Sequence, residues 1–321
     1  MKNVLKSCAF GLAALFFIAP NAYAAYPDKP IKLVVPYPPG SGTDTIARYM
    51  ALQLEKKISQ TVVVENKTGG NAIIATESVI RSSPDGYTLL WAANGPVTTN
   101  VALYKKLSYN PLTDLKPVAR IAYSPMGLYV PSSSPYKSVK ELFDAGKKEP
   151  KSLNYGSGSA TYNIATEWLM SMAGVQANAI NYRGSAPTIS DVAAGRTDFT
   201  IVEYSAALSL KQAGKIRLLA MTSDKRFPAE PDIPTLQELG YKDFFQVAWW
   251  GIFAPANTPD DVVSKLQKVS LEIVKSKESE EWLKSHNFSE YAGDSKELRD
   301  FQEREINRES GLVEKFKIPQ L

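Results

Sequence analysis

Cysteine and histidine are nearly missing from this chain: its 321 residues hold one of each, Cys8 and His286. A single cysteine excludes a disulfide scaffold and any zinc or iron–sulfur site built on thiolates. A single histidine excludes multi-histidine metal sites and leaves little scope for a histidine-based triad. Charge of one sign is also scarce. The formal net charge is +4, from 37 basic and 33 acidic side chains, too little to point to nucleic acid or a membrane surface. Glycine and proline number 19 and 21, ordinary levels that exclude collagenous and low-complexity chains. The one long hydrophobic run covers residues 9–19, far short of the ~20 residues that span a bilayer.

That run has Lys2 and Lys6 before it and Ala22-Tyr23-Ala24 after it. This is the order of a secretory signal, with cleavage expected after Ala24. Cys8 precedes the apolar run, so no lipid anchor is expected. Removing the segment lowers the formal charge from +4 to +2 and leaves no cysteine, which suits an oxidising compartment. The expectation is an exported, periplasmic monomer that binds no nucleic acid.

Beyond residue 30, β-branched runs alternate with helical stripes. Residues 31–35 read as a strand ending at Pro36, and Ile46, Met50, Leu54 and Ile58 recur at helical spacing. The pattern continues as strand 61–64, helix 72–80, strand 87–91 and two short strands at 118–121 and 128–130. Helix 139–148, strand 153–155, helix 164–173, strand 179–182 and helix 188–194 follow. Strand 199–202, helix 206–213, strand 216–221 and long helices over 259–276 and 295–312 complete it. Such alternation predicts an α/β fold with parallel-type sheets covered by helices. Crossings near 123–127 and at Trp249-Trp250-Gly251 place 25–124 with 250–321 in one domain and 125–249 in the other. The expected architecture is two α/β lobes joined by two crossing strands, with a ligand cleft between them.

Four Gly-bearing turns follow strands, where open α/β sheets bind ligands. Pro36-Tyr37-Pro38-Pro39-Gly40-Ser41-Gly42-Thr43-Asp44 offers close backbone approach and a helix start, an anion site in kind. No Gly-Lys-Ser/Thr follows, so it is not a phosphate loop. Tyr155-Gly156-Ser157-Gly158-Ser159-Ala160-Thr161 adds amides and the hydroxyls of Ser157, Ser159 and Thr161. It lacks the G-x-S-x-G of a hydrolase elbow. Tyr182-Arg183-Gly184-Ser185-Ala186-Pro187 brings a cation, and Asn94-Gly95-Pro96 is the fourth turn. Of Trp249 and Trp250, strand alternation turns one into the core and the other to the cleft or surface. His286, among charged residues, reads as a surface residue.

Taken together these residues resemble the Bug-type solute-binding proteins of tripartite tricarboxylate transporters. The resemblance runs through Tyr26-Pro27-Asp28-Lys29-Pro30, the first loop, Val62-Val63-Val64-Glu65-Asn66, Pro84-Asp85-Gly86-Tyr87, Leu153-Asn154-Tyr155, Tyr182-Arg183-Gly184 and Trp250-Gly251-Ile252-Phe253-Ala254-Pro255. It implies a type II-like binding protein that closes on a small carboxylate and delivers it to membrane transporter subunits. Loop amides and ordered waters would hold the carboxylate, with no cofactor, no metal and no catalytic residue. Carried over by position, the ligand-binding residues are Tyr37, Pro38, Ser41, Thr43, Asp44, Asn94, Gly156, Ser157, Ser159, Asn163, Arg183, Gly184, Ala186 and Val202. The chain departs from the family pattern at Gly69-Gly70-Asn71-Ala72, at Asn163 in place of a common histidine, and at Val202, where amino-acid binders are expected to carry an acid. Val202, with Tyr37, Tyr162 and Trp249, favours a flat aromatic dicarboxylate such as terephthalate; an aliphatic di- or tricarboxylate stays open. Two other readings are a ligand-presenting protein for a membrane sensor and an exported enzyme using Asp44 and Glu203.

Overall fold

The computed structural model describes residues 26–321. The expected signal segment and its cleavage after Ala24 lie outside the described residues.

The chain opens with β1 (Ile31–Val35), and α1 (Gly42–Ile58) follows. Ser41 caps α1 by accepting the Asp44 amide, and Ser59 stops it in the left-handed region. Next come β2 (Val62–Asn66), α2 (Ile73–Ile80), β3 (Thr88–Ala93) and a π-helical turn over Gly95–Thr99 into α3 (Asn100–Leu103). The long β4 (Leu115–Pro131) leads to α4 (Val139–Lys148), β5 (Leu153–Ser157) and α5 (Ala160–Ala173). Then follow β6 (Ala177–Asn181), α6 (Ser185–Ala193), β7 (Phe199–Glu203), α7 (Tyr204–Gln212) and β8 (Ile216–Met221). The return strand β9 (Val247–Pro255) precedes α8 (Asp260–Val274), α9 (Lys277–Ser285), β10 (Ser289–Gly293) and α10 (Ser295–Phe316). Asp294 and Glu297 close a reciprocal capping box on α10.

Two sheets share β4. Its first part pairs with β9 and β10, and from Met126 onward it pairs with β7 and β8. The change of partners falls at Pro125, which has no amide hydrogen for a ladder. The strand order runs β2-β1-β3-β9-β4-β7-β5-β6. The two short strands expected at 118–121 and 128–130 are therefore one strand of 17 residues. The expectation of parallel sheets needs a correction as well. Only β1–β2, β1–β3, β5–β6 and β5–β7 are parallel, whereas β9 is antiparallel to both β3 and β4. The reason is topological: β4 leaves the first sheet and β9 returns to it, so they run in opposite directions.

Alternation along β9 sends its two tryptophans to different cores. Trp249 packs edge-on to Phe301 among Val34, Leu90 and Phe253. Trp250 packs edge-on to Phe288 in the main core. His286 is exposed and stacks on Trp282.

At the end of β3, the fully buried Asn94 side chain ties β9 in place. Its Nδ2 donates to the Val247 carbonyl at 3.0 Å, and its Oδ1 accepts the Trp249 amide at 2.9 Å. Asn94→Ala strands two buried backbone groups, and the expected loss of stability is about 1–3 kcal/mol for each. Urea unfolding checks this; a loss under about 0.5 kcal/mol, the usual range for a surface change, would reject the clamp.

Candidate functional site

The first loop is held rigidly before it meets anything else. Gly40 takes a positive φ of 82°, which glycine reaches without strain. Ser41 Oγ donates to the Pro38 carbonyl at 2.9 Å and caps α1. Asp44 gathers the loop from below: it accepts from the Gly40 amide at 3.1 Å, Asn66 Nδ2 at 2.8 Å and Arg48 Nε at 3.0 Å. Burial alone would raise the Asp44 pKa, but these bonds and the Arg48 charge hold it below the ordinary value. The same Asn66 amide reaches the Tyr37 carbonyl at 2.9 Å. Thr43 Oγ1 accepts the Trp250 indole N–H at 2.9 Å.

Three strand-to-helix turns of the second lobe face this loop. Ser159 caps α5, and Ser157 Oγ donates to the Ser159 carbonyl at 3.2 Å. Gly184 precedes α6 with φ 125° and offers no side-chain cap. A Cβ on Gly184 would lie 2.7 Å from Pro38 of the first loop, and one on Gly158 would lie 2.4 Å from the Gly184 carbonyl oxygen. Of these, the Gly184–Pro38 approach joins the two lobes, and the Gly158–Gly184 approach lies within the second.

Glu203 is the centre of that meeting. It is fully buried between β7 and α7. Its carboxyl accepts from the Gly42 amide at 3.2 Å, from Ser185 Oγ at 2.8 Å and from the Tyr162 hydroxyl. Gly42 and Ser185 open α1 and α6, and Tyr162 lies in the first turn of α5. First turns carry free amides and the positive end of the helix dipole, so they favour a negative group. Burial raises the Glu203 pKa above the ordinary value, and the hydrogen bonds offset only part of that. Burial pushes the phenols of Tyr37 and Tyr162 up as well, and Glu203 adds to both.

A small cavity of about 10 Å³ is lined by Tyr37, Thr43, Asn94, Ser159, Tyr162 and Trp250 among others. It has room for about one water molecule. A larger cleft of about 540 Å³ opens between the lobes and is lined by Tyr37, Asn71, Ser157, Asn163, Asn181 and Arg183 among others. Asn163 Nδ2 donates to the Tyr155 hydroxyl at 3.1 Å, and that hydroxyl donates to Glu167 at 2.6 Å. Burial raises the Glu167 pKa. Arg183 is exposed at this cleft.

Of the residues expected from sequence, Tyr37, Thr43, Asn94 and Ser159 come together at the inner cavity. Ser157, Asn163 and Arg183 line the outer cleft. Pro38 and Gly184 touch each other across the lobes. Ser41 and Asp44 shape the first loop; Asp44 is a loop-fixing anion rather than a group aimed into the cleft. A Cβ on Gly156 would lie 2.7 Å from a Thr188 methyl, so that glycine serves packing. Ala186 is half-buried in the first turn of α6. Two expectations need correcting. Val202 is buried in the main core, and the acid that reaches the first loop is its neighbour Glu203, through the Gly42 amide. Trp250, not Trp249, reaches the site, because alternation on β9 puts Trp249 in the opposite core. Ser185 lies outside the expected ligand-binding set, and Thr161 and Tyr162 are expected only as a loop hydroxyl and an aromatic wall; all three sit in the first turn of a helix after a Gly-bearing turn. Asp44 and Glu203 have separate sets of hydrogen-bond partners.

A second polar chain crosses the lobes. Thr161 and Thr99 hydroxyls lie 3.1 Å apart, and Thr99 Oγ1 donates to the fully buried Glu309 at 3.2 Å. Gln246, just before β9, donates to the same Glu309 oxygen at 3.2 Å. The other Glu309 oxygen is buried without a partner, and burial lifts the group to a pKa of about 7.

The family described as "Tripartite tricarboxylate transporter family receptor" matches residues 46–318 of the chain. A protein from the tcbD-tcbE intergenic region of Pseudomonas sp. strain P51 is 32% identical over 297 residues, 92% of this chain and 88% of that one. Among solved structures, the R. palustris protein Rpa4515 with adipate superposes with a TM-score of 0.89 at 32% identity, over 92% of this chain and all of that one. The periplasmic binding protein BugD gives 0.87 at 30% identity, over 92% of this chain and all of its own.

Glu309 sets a pH dependence of stability. Its folded pKa of about 7 lies above the ordinary 4.5, so the folded state holds the proton more tightly. The associated stability is complete below pH 4.5 and is lost as pH rises through about 7. Glu309→Gln is expected to remove that slope. Melting temperatures of both proteins from pH 4.5 to 8 check it, and parallel curves would refute the assignment.

Proposed function

The chain belongs to the tripartite tricarboxylate transporter receptor family, and on that premise we propose that it is a periplasmic solute-binding protein for a small dicarboxylate, which it delivers to the membrane subunits of a transporter. The observation that carries the reading is the convergence of helix first turns from both lobes on one buried position. Backbone amides held this way bind a carboxylate without bringing a compensating cation into the core. Adipate, present with Rpa4515, is a dicarboxylate and supports the same class for this chain.

The ligand lies with one carboxylate against the amides of the first loop and of the α5 turn. Tyr37, Tyr162 and Trp250 flank its spacer, and Arg183 meets the second carboxylate at the outer cleft. A spacer that is apolar and flat, as in terephthalate, suits these aromatic walls; an extended aliphatic spacer is the competing shape. Closure of the lobes by hinge motion sequesters the ligand. Since the Gly184 backbone already lies against Pro38, the enclosed form needs no further approach of these loops.

A thermal-shift screen of the chain against mono-, di- and tricarboxylates and amino acids tests this. The melting temperature is expected to rise with dicarboxylate concentration; a screen with no shift for any carboxylate would reject the reading. Arg183→Ala is expected to weaken a responding dicarboxylate about tenfold or more while leaving its monocarboxylate analogue unchanged. Thr43→Phe is expected to abolish binding with the circular dichroism spectrum retained, and unchanged affinity would remove the first loop from the site.

A further inference from the structure

The segment after α10 builds part of the outer cleft. Lys317 ends α10 in the left-handed region, and the Ile318 amide donates back to the Val313 carbonyl at 3.0 Å. From there the side chains alternate. Ile318 is buried in the main core and Gln320 Nε2 donates to the Ala102 carbonyl at 3.0 Å, whereas Pro319 and Leu321 line the cleft. Such alternation belongs to an extended segment. The Leu321 amide donates to the Leu103 carbonyl at 2.9 Å, and the Leu321 carbonyl accepts the Lys105 amide at 3.1 Å. Both bonds fix the backbone to the end of α3. The Leu321 side chain has no part in them, and the residue is 56% exposed.

The two walls of the cleft differ in kind. Leu103, Pro319 and Leu321 stand on the first lobe, while Asn163, Asn181 and Arg183 stand on the second. Tyr37 and Ser159 border both the cleft and the small inner cavity, whereas Leu103, Pro319 and Leu321 border the cleft alone. A carboxylate held at the inner end therefore turns its spacer, not its charge, toward the apolar wall. The cleft volume of about 540 Å³ lies in the range of sites that enclose drug-sized molecules, so an extended ligand has room. The family match ends at residue 318, which leaves Pro319 and Leu321 outside the shared pattern. From this arrangement we propose that Leu321, seated beside Pro319, is a specificity-determining residue: the spacer of the ligand rests on it, and the chain favours carboxylates with long apolar spacers over short ones. The inference rests on the proposed carboxylate-binding reading and adds the length of the ligand to it.

Titration calorimetry with two homologous series tests this: succinate, adipate and octanedioate as dicarboxylates, and butanoate, hexanoate and octanoate as monocarboxylates. The parent chain is expected to bind more tightly as the spacer lengthens. Leu321→Ser is expected to weaken adipate and octanedioate about tenfold, the order of one apolar side-chain contact, and succinate less than about twofold. Leu321→Met keeps an apolar side chain of similar volume and is expected to retain the preference. Because the readout is the ratio between long and short ligands, a variant that merely folds less well does not mimic it. Equal affinities of Leu321→Ser and the parent for every ligand, or a loss of the same size for succinate as for octanedioate, would overturn the proposal. So would a loss in Leu321→Met as large as in Leu321→Ser, since apolar contact would then not be the cause. Binding of the monocarboxylates alone, with a length preference that Leu321→Ser abolishes, would defeat the dicarboxylate class while supporting the role of Leu321. A parent chain that binds no member of either series would overturn both.

Discussion

Everything at the cleft depends on one shared strand. β4 runs through both sheets, and β9 returns alongside its first part, so the two lobes are joined by paired strands rather than by a loose linker. Proline at 125 marks where β4 changes partners, since it contributes no donor to either ladder. Asn94 then fastens the start of β9 to the end of β3. The strand-end turns of both lobes are thereby held facing one another, which is what a closing binding protein requires of its frame.

Within that frame the buried Glu203 carboxyl is met by groups from helix first turns rather than by charged side chains. A buried carboxylate satisfied by amides and hydroxyls avoids the cost of burying a cation with it. The charged residues of the region have other partners: Asp44 and Arg48 tie the first loop to Asn66, and Arg308 bonds Glu305 and Gln246 just before β9. Glycine appears where backbones from different turns approach each other. Gly42, Gly158 and Gly184 all lie where a side chain would collide with a neighbouring loop or carboxyl. Small residues at these points let the turns pack this closely.

Much of the fold was legible in the sequence because periodicity reports burial directly. The apolar stripe of α1 and the β-branched run of β1 were both readable, and so were α4 and β8, whose ends coincide with the expected ones. Reading β4 as two pieces reflects its three prolines, Pro117, Pro125 and Pro131, which suggest breaks in an isolated chain. Neighbouring strands supply enough pairing on either side to carry the strand through them. The cleft turns were legible as well, from glycine next to capping residues. What could not be read was which side chain of a neighbouring pair faces the cleft. Val202 and Glu203, like Trp249 and Trp250, differ by one position, and one position reverses the face of a strand.

The sequence by itself determined most of the strand–helix alternation, the near-absence of cysteine and histidine, and the family resemblance. Each of these is local, or is carried by composition, and so survives without knowledge of contacts. The tertiary structure alone decided that Glu203 rests on the first turn of α1, that Trp250 reaches Thr43, and that Glu309 is buried with an unpartnered oxygen. Those facts join residues 161, 207 and up to 210 positions apart. No local pattern encodes a contact of that span, because it exists only once both lobes have folded and met.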